Sequence, residues 1–313
     1  MERPRGRWIV TPRGVLRVAV IAAAFPVLGW FGGHHWTLDL CNHPQAQYFC
    51  FLALCFLTLT AWRKWRHALT CLALLMIPAA KLAPLYLPAG KPTEGPGLRV
   101  ASFNILGTNT RYAEAAAWIA GAAPDFIYLP EANEEWARGL KPLAADYPHT
   151  AQVFIEGNFG FLFLSKFPIV RQQARRLGMM EIPLMEAVVS TPLGEVTVFG
   201  AHPVPPVTEF WANERDTYLR KLAEIAAKTP GRVILLGDLN ATRWSHAMAP
   251  LWKQGLRDTA EGHGFSATWN RENPLMAIPI DHILVRGFPG TRSRKTGPAT
   301  GSDHRPVIAD LAW

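Results

Sequence analysis

Polar side chains that can bind a cation or transfer a proton follow several short apolar segments in the second part of the chain. The segment VILLGDLN ends on Asp238 and Asn240, and the segment GSDH near the carboxyl end places Asp303 next to His304. Asp281 lies inside the apolar segment IPIDHILV, where a buried carboxylate needs a compensating partner. Carboxylates, amides and imidazoles are the groups that metal-assisted cleavage of a phosphoester requires.

Three further polar residues end apolar segments of the same kind. They are Asn104 after LRVASF, Glu131 after DFIYLP and His202 after VTVFGA. Taken singly, each has an ordinary interpretation as a turn residue, a helix start or a loop histidine. Their recurrence at the end of one apolar segment after another favours a shared site over a series of unrelated turns, because a strand end is a rigid mount for a side chain that enters a cleft.

Each residue type has a defined use in such a reaction. Glu131 and Asp303 offer hard oxygen ligands suited to Mg²⁺ or Mn²⁺, and these ions neutralise the charge of a phosphate. Asp238 can orient or deprotonate an attacking water, and Asn240 can fix that water or a phosphate oxygen.

The two histidines complete this set. His304 binds its proton more strongly if Asp281 holds its other ring nitrogen, and His202 can approach the phosphate from another side. The sequence has no P-loop, no G-x-S-x-G motif and no Cys/His spacing typical of a zinc site. The sequence therefore gives no support for a P-loop nucleotide-binding protein, a serine hydrolase with that motif or a zinc-finger type of site.

The segments that carry these residues are of β type, and helical patterns lie between some of them. We expect a helix between Thr110, as its cap, and Gly121, another that begins at Asn133, and a third with an apolar stripe from Phe210 to Ile225. This pattern predicts a mixed α/β domain with paired antiparallel strands. The predicted strands are Leu98–Ile105, Asp125–Leu129, Phe159–Leu164, Glu195–Ala201, Arg232–Leu236, Ile280–Val285 and Pro306–Leu311.

The first 94 residues differ in charge from the rest of the chain. They hold ten of the 32 Lys and Arg residues and three of the 24 acids, whereas the remaining 219 residues hold 22 basic and 21 acidic side chains. The second part therefore lacks the overall positive field expected of a protein that grips long nucleic acid, so a nucleic-acid partner is not favoured by charge.

Three apolar stretches predict about three membrane-spanning helices within residues 1–90, which would anchor the chain in a lipid bilayer. The stretches are Val18–Gly33, Gln47–Trp62 and Ala68–Ala80, and Lys81 follows the third. The third stretch spans only if Lys81 snorkels or is buried among helices. A cleaved signal peptide is the alternative for the first stretch, but the later apolar segments disfavour it.

The basic residues near these stretches predict the orientation of the chain. Arg63, Lys64 and Arg66 fill the loop after the second stretch, and five arginines precede the first, whereas the loop HHWTLDLCNHPQAQ has neither Lys nor Arg. The rule that positive loops stay inside then places the later domain outside the cytoplasm, unless Lys81 stops the third crossing. In an oxidising compartment, Cys41 and Cys50 could form a disulfide.

Read in order, seven segments resemble the endonuclease/exonuclease/phosphatase (DNase I-like) family, and its membrane-anchored bacterial branch in particular. The segments are SFNI, YLPEAN, GFLFLSKFPI, GAHPVPP, LLGDLNAT, IDHILV and SDHRPV. The resemblance implies a four-layer α/β sandwich of two packed mixed sheets flanked by helices, preceded by the transmembrane region. The implied division is a membrane region at 1–90, a linker at 91–97 and a catalytic domain at 98–313, with its active site at one end of the sheets.

The same motifs imply a role for each candidate residue. Asn104, Glu131 and Asp303 would lie at the metal, Asp238 and Asn240 would orient the nucleophile, and Asp281 would pair with His304, with His202 as the second histidine. Which histidine is the acid stays open. The resemblance implies a phosphoric ester hydrolase that depends on Mg²⁺ or Mn²⁺.

The anchored branch and the orientation of the basic residues predict a location in the bacterial inner membrane with a periplasmic domain. The membrane anchor and the near-neutral charge of the second part favour a lipid or envelope phosphate as substrate. A metal-dependent nuclease is the alternative function, and a non-catalytic envelope scaffold is a third.

Overall fold

The computed structural model describes residues 11–88, 94–155 and 157–313. It divides into two compact units, Met1–Ala83 and Pro84–Trp313, which are described separately below. The second unit thus begins before the predicted linker, of which residues 91–93 lie outside the described residues. The arginines at positions 3, 5 and 7 also lie outside them.

The first unit is built from three apolar helices that pack on one another. Small and apolar side chains such as Ala19, Leu52 and Cys71 are fully buried between these helices. Two stretches, Pro12–Phe31 and Trp65–Leu85, are long and apolar enough to cross a membrane, and the third apolar helix is shorter. The helices of this unit are α1 Pro12–Leu28, α2 Trp36–Leu40, α3 Gln45–Ala61 and α4 Trp65–Leu82.

Lys81 does not end the last helix of this unit. Its side chain is partly buried, and Nζ donates a hydrogen bond to Asn42 Oδ1 at 3.3 Å. Asn42 in turn donates from Nδ2 to the buried Asp39 Oδ1 at 3.1 Å. Burial among polar groups is therefore how the helix accommodates its lysine. Cys41 and Cys50, both within the described residues, are free thiols.

The second unit contains two six-stranded mixed sheets in the part of the chain that the structure describes. The strand order is β11-β12-β1-β2-β4-β3 in the first sheet and β5-β6-β7-β8-β10-β9 in the second. The strands are β1 Gly97–Ser102, β2 Phe126–Pro130, β3 His149–Val153, β4 Phe161–Ser165, β5 Ile169–Leu177, β6 Ile182–Thr191, β7 Gly194–Ala201, β8 Arg232–Asp238, β9 Arg257–Asp258, β10 Asp281–Arg286, β11 Thr291–Thr296 and β12 Val307–Ala312. The helices are α5 Tyr112–Ala122, α6 Glu134–Gly139, α7 Glu209–Lys228 and α8 Ala249–Lys253.

These elements form four layers, which confirms the predicted α/β sandwich. The two sheets share one apolar core, to which Phe126 contributes from the first sheet and Ile234 from the second. On the outer face of the first sheet, Ile119 of α5 and Trp136 of α6 are fully buried. Helices α7 and α8 cover the second sheet through residues such as Leu222.

The observed helices agree with the predicted ones at one cap and differ from them at another cap and in one buried face. Asn133 caps α6 as expected, because its side chain accepts the Trp136 N–H. Thr110 is not the cap of α5, which begins at Tyr112 and runs past Gly121. Phe210 is 48% exposed and does not belong to the buried face of α7. That face consists of later side chains, Ala212, Tyr218, Leu219 and Leu222 among them.

The topology brings one end of every central strand to the same edge of the sandwich. Strands β1 and β2 are parallel, as are β7 and β8, so their carboxyl ends lie together within each pair. Strand β10 is antiparallel to β8 and β12 is antiparallel to β1, so each begins where its neighbour ends. The polar residues at the carboxyl ends of β1, β2, β7 and β8 therefore lie at the same edge as the polar residues at the amino ends of β10 and β12.

Candidate active site

The structure brings the predicted site residues together at this edge, at or near the ends of six strands. Asp281 and Asp238 are direct partners in the register of β10 and β8. The positions are Asn104 two residues after β1, Glu131 directly after β2, His202 directly after β7, Asp238 at the end of β8, Asn240 two residues later, Asp281 at the start of β10, and Asp303 and His304 shortly before β12.

The chain turns sharply after β8, and this turn holds the Asp238 carboxylate. Gly237 has a φ of 147°, and a Cβ there would collide with the carbonyl oxygen of Ala201 on the neighbouring strand. Asn240 has a left-handed φ of 49°, so the backbone does not continue as an extended strand from Asp238 to Asn240. Instead, the Asn240 N–H donates to Asp238 Oδ1 at 2.9 Å, and its side chain donates to the Pro203 carbonyl at 2.9 Å.

Asn104 connects two carboxylates. Its Nδ2 donates to Glu131 Oε1 at 2.8 Å and to Asp238 Oδ2 at 3.1 Å, while its Oδ1 accepts the Leu106 N–H at 3.1 Å. Glu131 has a left-handed φ of 63°, and its Oε2 accepts the Gly107 N–H at 3.3 Å. In this orientation the amide turns its nitrogen, and not its oxygen, towards the acids.

Two imidazoles face the same oxygen of Asp238. His202 Nε2 and His304 Nε2 each lie 3.6 Å from Asp238 Oδ2, and His202 Nε2 lies 3.8 Å from Glu131 Oε1. Burial raises the pKa of Asp238, although the charge of His304 opposes this shift. His202 Nδ1 is buried and has no hydrogen-bond partner among the described residues. One carboxylate oxygen is thus the centre of the arrangement.

His304 is held between two carboxylates. Its Nδ1 lies 2.9 Å from Asp281 Oδ2, and both side chains are buried. Burial alone would lower the pKa of the imidazole, but the charges of Asp281 and Asp238 outweigh it and raise the pKa to about 10. Ser302 fixes the backbone here, because its hydroxyl accepts the His304 N–H at 3.0 Å and donates to the Asn104 carbonyl at 2.7 Å.

Asp303 lies at the margin of this arrangement. Its Oδ2 accepts a hydrogen bond from Trp269 Nε1 at 2.9 Å. Its Oδ1 is buried and has no hydrogen-bond partner among the described residues. Asp303 is therefore adjacent to His304 in sequence but is joined to the rest of the site through an indole.

The donor set fits a divalent cation. Ligand atoms of Asp238, Asp281 and His304 lie within 4.8 Å of one another. Glu131 and Asp303, the acids predicted to be metal ligands, are not part of that group. However, Asp281 Oδ1 and Asp303 Oδ1 are buried oxygens without a donor in the described part of the chain, and a cation satisfies such atoms. Carboxylate oxygens are the ligands that Mg²⁺ and Mn²⁺ prefer.

Sequence reasoning missed two supporting residues of the site. The Thr268 hydroxyl accepts the N–H groups of Ile280 and Asp281, both at 3.1 Å, and so fixes the start of β10. Trp269 contacts Asp303 as described above. Both residues belong to the segment ATWN, which has no strand-like or helical pattern, so nothing in its sequence indicates that it lies beside the acids.

A known protein family shares the sequence pattern of this domain. The sequence pattern of the Endonuclease/Exonuclease/phosphatase family matches residues 101–304, a range that contains every predicted site residue. The chain belongs to this family. Members of the endonuclease/exonuclease/phosphatase family are hydrolytic phosphoesterases and nucleases that generally use divalent metal ions. No curated protein matches the chain.

Solved structures of the family have the same fold. An endonuclease/exonuclease/phosphatase from Beutenbergia cavernae is 23% identical, with a TM-score of 0.59 over 69% of this chain and 71% of that one. TDP2 of D. rerio complexed with a single-strand DNA product is 17% identical, with a TM-score of 0.59 over 70% and 100% of the chains. Sphingomyelinase C from Streptomyces griseocarneus is 22% identical, with a TM-score of 0.52 over 70% and 100%.

Proposed function

We propose that the chain is a membrane-anchored phosphoester hydrolase that depends on Mg²⁺ or Mn²⁺ and acts on a lipid or envelope phosphate. The observation that carries this proposal is the convergence on Asp238 Oδ2, where His202, His304 and the Asn104 amide all lie within 3.6 Å. This oxygen is surrounded by groups that can exchange protons with it and can bind a phosphate.

In the proposed reaction a water attacks phosphorus in line with the leaving oxygen, the bond from phosphorus to that oxygen breaks, and one of the two histidines donates a proton to the leaving oxygen. Asp238 accepts the proton of that water, a task for which its raised pKa is suited because a stronger base removes the proton more readily. Asn240 positions this carboxylate through its backbone N–H and holds the loop after His202 through its side chain. His304 is protonated at neutral pH, since its pKa is raised to about 10, and stabilises negative charge on the phosphate oxygens.

The candidate metal residues have a separate part in this mechanism. Glu131 and Asp303 would hold the ion, whereas Asp238, Asp281 and the protonated His304, whose ligand atoms lie within 4.8 Å of one another, would serve proton transfer and charge stabilisation. Asn104 keeps Glu131 and Asp238 together through its amide nitrogen. A divalent ion bound there supplies neutralisation of the phosphate charge.

The choice of a lipid or envelope substrate rests on the rest of the chain. The stretches Pro12–Phe31 and Trp65–Leu85 have the length and apolar composition of membrane spans, and an anchored enzyme works where membrane phosphates are concentrated. The near balance of 22 basic and 21 acidic residues after position 94 also disfavours a long polyanion. We place the protein in the bacterial inner membrane with its catalytic unit in the periplasm.

A metal-dependent nuclease is the second candidate. It is supported by the structural similarity to TDP2 complexed with a single-strand DNA product, although this similarity at 17% identity concerns the fold. The intact set of acids and histidines argues against a non-catalytic scaffold.

The test is hydrolysis by the full-length chain in detergent with Mg²⁺, Mn²⁺ or excess chelator. The substrates are phospholipid vesicles, a nucleotide diester and plasmid DNA. Glu131→Gln should lower the rate by about a hundredfold or more and weaken its metal dependence, because the amide keeps the shape but loses the charge. The control is Glu134→Gln, three residues away, where the side chain is 75% exposed. Full activity in chelator, or equal activity of both variants, would refute the metal assignment.

A further inference from the structure

A polar cavity lies beside the candidate active site. Its volume is about 320 Å³, and it is lined mainly by the segment 265–271 together with Thr296 and Arg305. Cavities that bind small ligands begin at about 300 Å³, so this one has room for an ionic group and part of the body that carries it. Trp269 belongs to its lining and also donates to Asp303, so the cavity and the candidate site share a wall.

The charge of this cavity is positive and uncompensated. Arg271 and Arg305 line it, both are exposed, and no salt bridge joins either guanidinium to a carboxylate among the described residues. No carboxylate is among the described residues that line the cavity, although Glu272 follows in the sequence and Asp303 lies behind the indole. The hydroxyls of Ser266 and Thr296 add neutral donors to its lining.

The backbone of both arginines is fixed by the site itself. The Arg271 N–H donates to the Asp303 carbonyl at 3.0 Å, and the Arg305 N–H donates to the Thr268 carbonyl at 2.8 Å. Thr268 also holds the start of the strand that carries Asp281. The two positive side chains are thus mounted on the same hydrogen-bonded framework that positions the candidate catalytic residues.

A larger groove elsewhere in the second unit also contains arginines, but carboxylates of the protein partly neutralise their charge. It has a volume of about 920 Å³. There, the buried Glu186 pairs with Arg175 at 2.7 Å and with Arg171 at 3.6 Å. Its positive charge is therefore partly neutralised within the protein, and it does not offer the same attraction for an anion.

We infer that the cavity formed by segment 265–271 and Arg305 binds a second anionic group of the substrate. This inference rests on the proposed hydrolysis, since it assumes that the scissile phosphate lies at Asp238 and His304. Guanidinium groups bind phosphate and carboxylate oxygens through charge-assisted hydrogen bonds, and two of them line this one cavity. The substrate class is accordingly a phosphoester that carries a further phosphate or carboxylate close to the bond that is cleaved.

The first test measures the binding of inorganic phosphate to the full-length chain in detergent and excess chelator. The double variant Arg271→Gln/Arg305→Gln should bind phosphate about tenfold more weakly or worse, because charge-assisted hydrogen bonds are lost. The control Arg220→Gln, on the exposed face of α7 where Arg220 pairs with Glu224, should bind as the parent does. Equal binding by all three proteins, or no binding by the parent, would overturn the inference. No turnover is involved, so this result is independent of whether the chain hydrolyses phosphoesters.

The second test distinguishes a substrate group from a free anion. Thymidine 5′-phosphate and thymidine 3′,5′-bisphosphate are bound to the same three proteins under the same conditions. The parent and Arg220→Gln should prefer the bisphosphate by about tenfold, and the double variant should lose this preference. Equal affinity of the parent for the two nucleotides would overturn the inference, because a cavity that holds inorganic phosphate but ignores a linked one binds an adventitious ion only.

Discussion

At the scale of single residues, the contact between His304 Nδ1 and Asp281 Oδ2 organises the candidate site. The distance is 2.9 Å, and Asp281 is fully buried, so the carboxylate depends on the imidazole for compensation. We expect His304→Ala to lower kcat by at least about a hundredfold, the low end for a positioned acid–base group. Asp281→Asn should cost a similar factor while the fold is kept, as checked by thermal unfolding.

The same pair makes a prediction about additivity. The Asp281→Asn/His304→Ala double variant should be little worse than the worse single variant, because residues that act as one unit do not contribute independently. The measurement is kcat for all four proteins of the cycle. Losses that multiply would mean that Asp281 is a structural acid and does not act through His304.

A second buried acid, Asp258, should contribute to the dependence of stability on pH. Burial alone would raise the pKa of Asp258, but the hydrogen bond and charge of His282, together with Arg294 and Arg243, lower it well below its usual range. Because the pKa is lower in the folded state, this stabilisation is complete above the unfolded value of about 3.9 and is lost as the pH falls below it.

The matching experiment compares the wild type with Asp258→Asn. The thermal midpoint of the full-length chain is measured between neutral pH and acid. Asp258→Asn should be less stable at neutral pH, and the difference should shrink as the pH falls through the carboxylate range. A difference that stays constant with pH would show that this carboxylate does not contribute through its charge.

At the scale of elements, the segment that opens the second unit is packed against the charged cluster around Asp258. The carbonyl of Pro84 accepts the Gly262 N–H at 3.1 Å, and that of Leu85 accepts the Gly264 N–H at 2.7 Å. The Leu85 side chain is 2% exposed and lines a small cavity with Asp258. These contacts tie the segment to the loop that leads into Thr268 and Trp269.

This packing gives a prediction with a control two residues away. Leu85→Ala should lower the free energy of unfolding by about 2–5 kcal/mol, because it removes buried methyl groups and leaves a cavity. Leu87→Ala should have little effect, since Leu87 is 61% exposed. The check is denaturant or thermal unfolding of the full-length chain, and similar losses for both variants would contradict the proposed packing.

The sequence predicted seven apolar strands, but it missed the buried strand β6, whose sequence is IPLMEAVVST, and the more polar strands. Strands such as β8 are recognisable because a continuous apolar run, here VILLGD, predicts a strand that is buried in the core. β8 is buried from Val233 to Asp238. β5 and β11 are edge strands with sequences such as RQQARR and TRSRKT, whose exposed side chains carry no apolar alternation. Their backbone pairing to a neighbour, and not their own composition, makes them strands.

In the candidate site, too, some features were recognisable from the sequence and others were not. The residues at the ends of apolar strands, from Asn104 to Asp281, were recognisable because the strands that carry them were. The left-handed turn at Asn240 and the contact of Trp269 with Asp303 were not, since both depend on tertiary hydrogen bonds that leave no periodic pattern.

At the scale of the whole molecule, the distribution of charge predicts on which side of a membrane the catalytic unit lies. In the described part of the first unit, Arg13 and Arg17 lie in the first turns of α1, Arg63 and Lys64 lie between α3 and α4, and Arg66 lies in the first turn of α4. Residues 32–44, which connect α1 to α3, contain no Lys or Arg. If α1, α3 and α4 each cross once, the basic ends share one side, and positively charged loops stay in the cytoplasm.

Everything after α4 then lies on the other side. Alkaline phosphatase fused after Trp313 should therefore be active, and a fluorescent reporter that folds only in the cytoplasm should be dark at the same position. Transferring the positive charge to the opposite loop should reverse the side of the membrane on which the domain lies. The variant replaces Arg63, Lys64 and Arg66 with Gln and adds lysines to residues 32–44. It should show a weaker phosphatase signal and a stronger fluorescence than the unmodified chain. A silent phosphatase fusion beside a bright reporter in the unmodified chain would place the catalytic unit in the cytoplasm, and a substrate in the envelope would then be excluded.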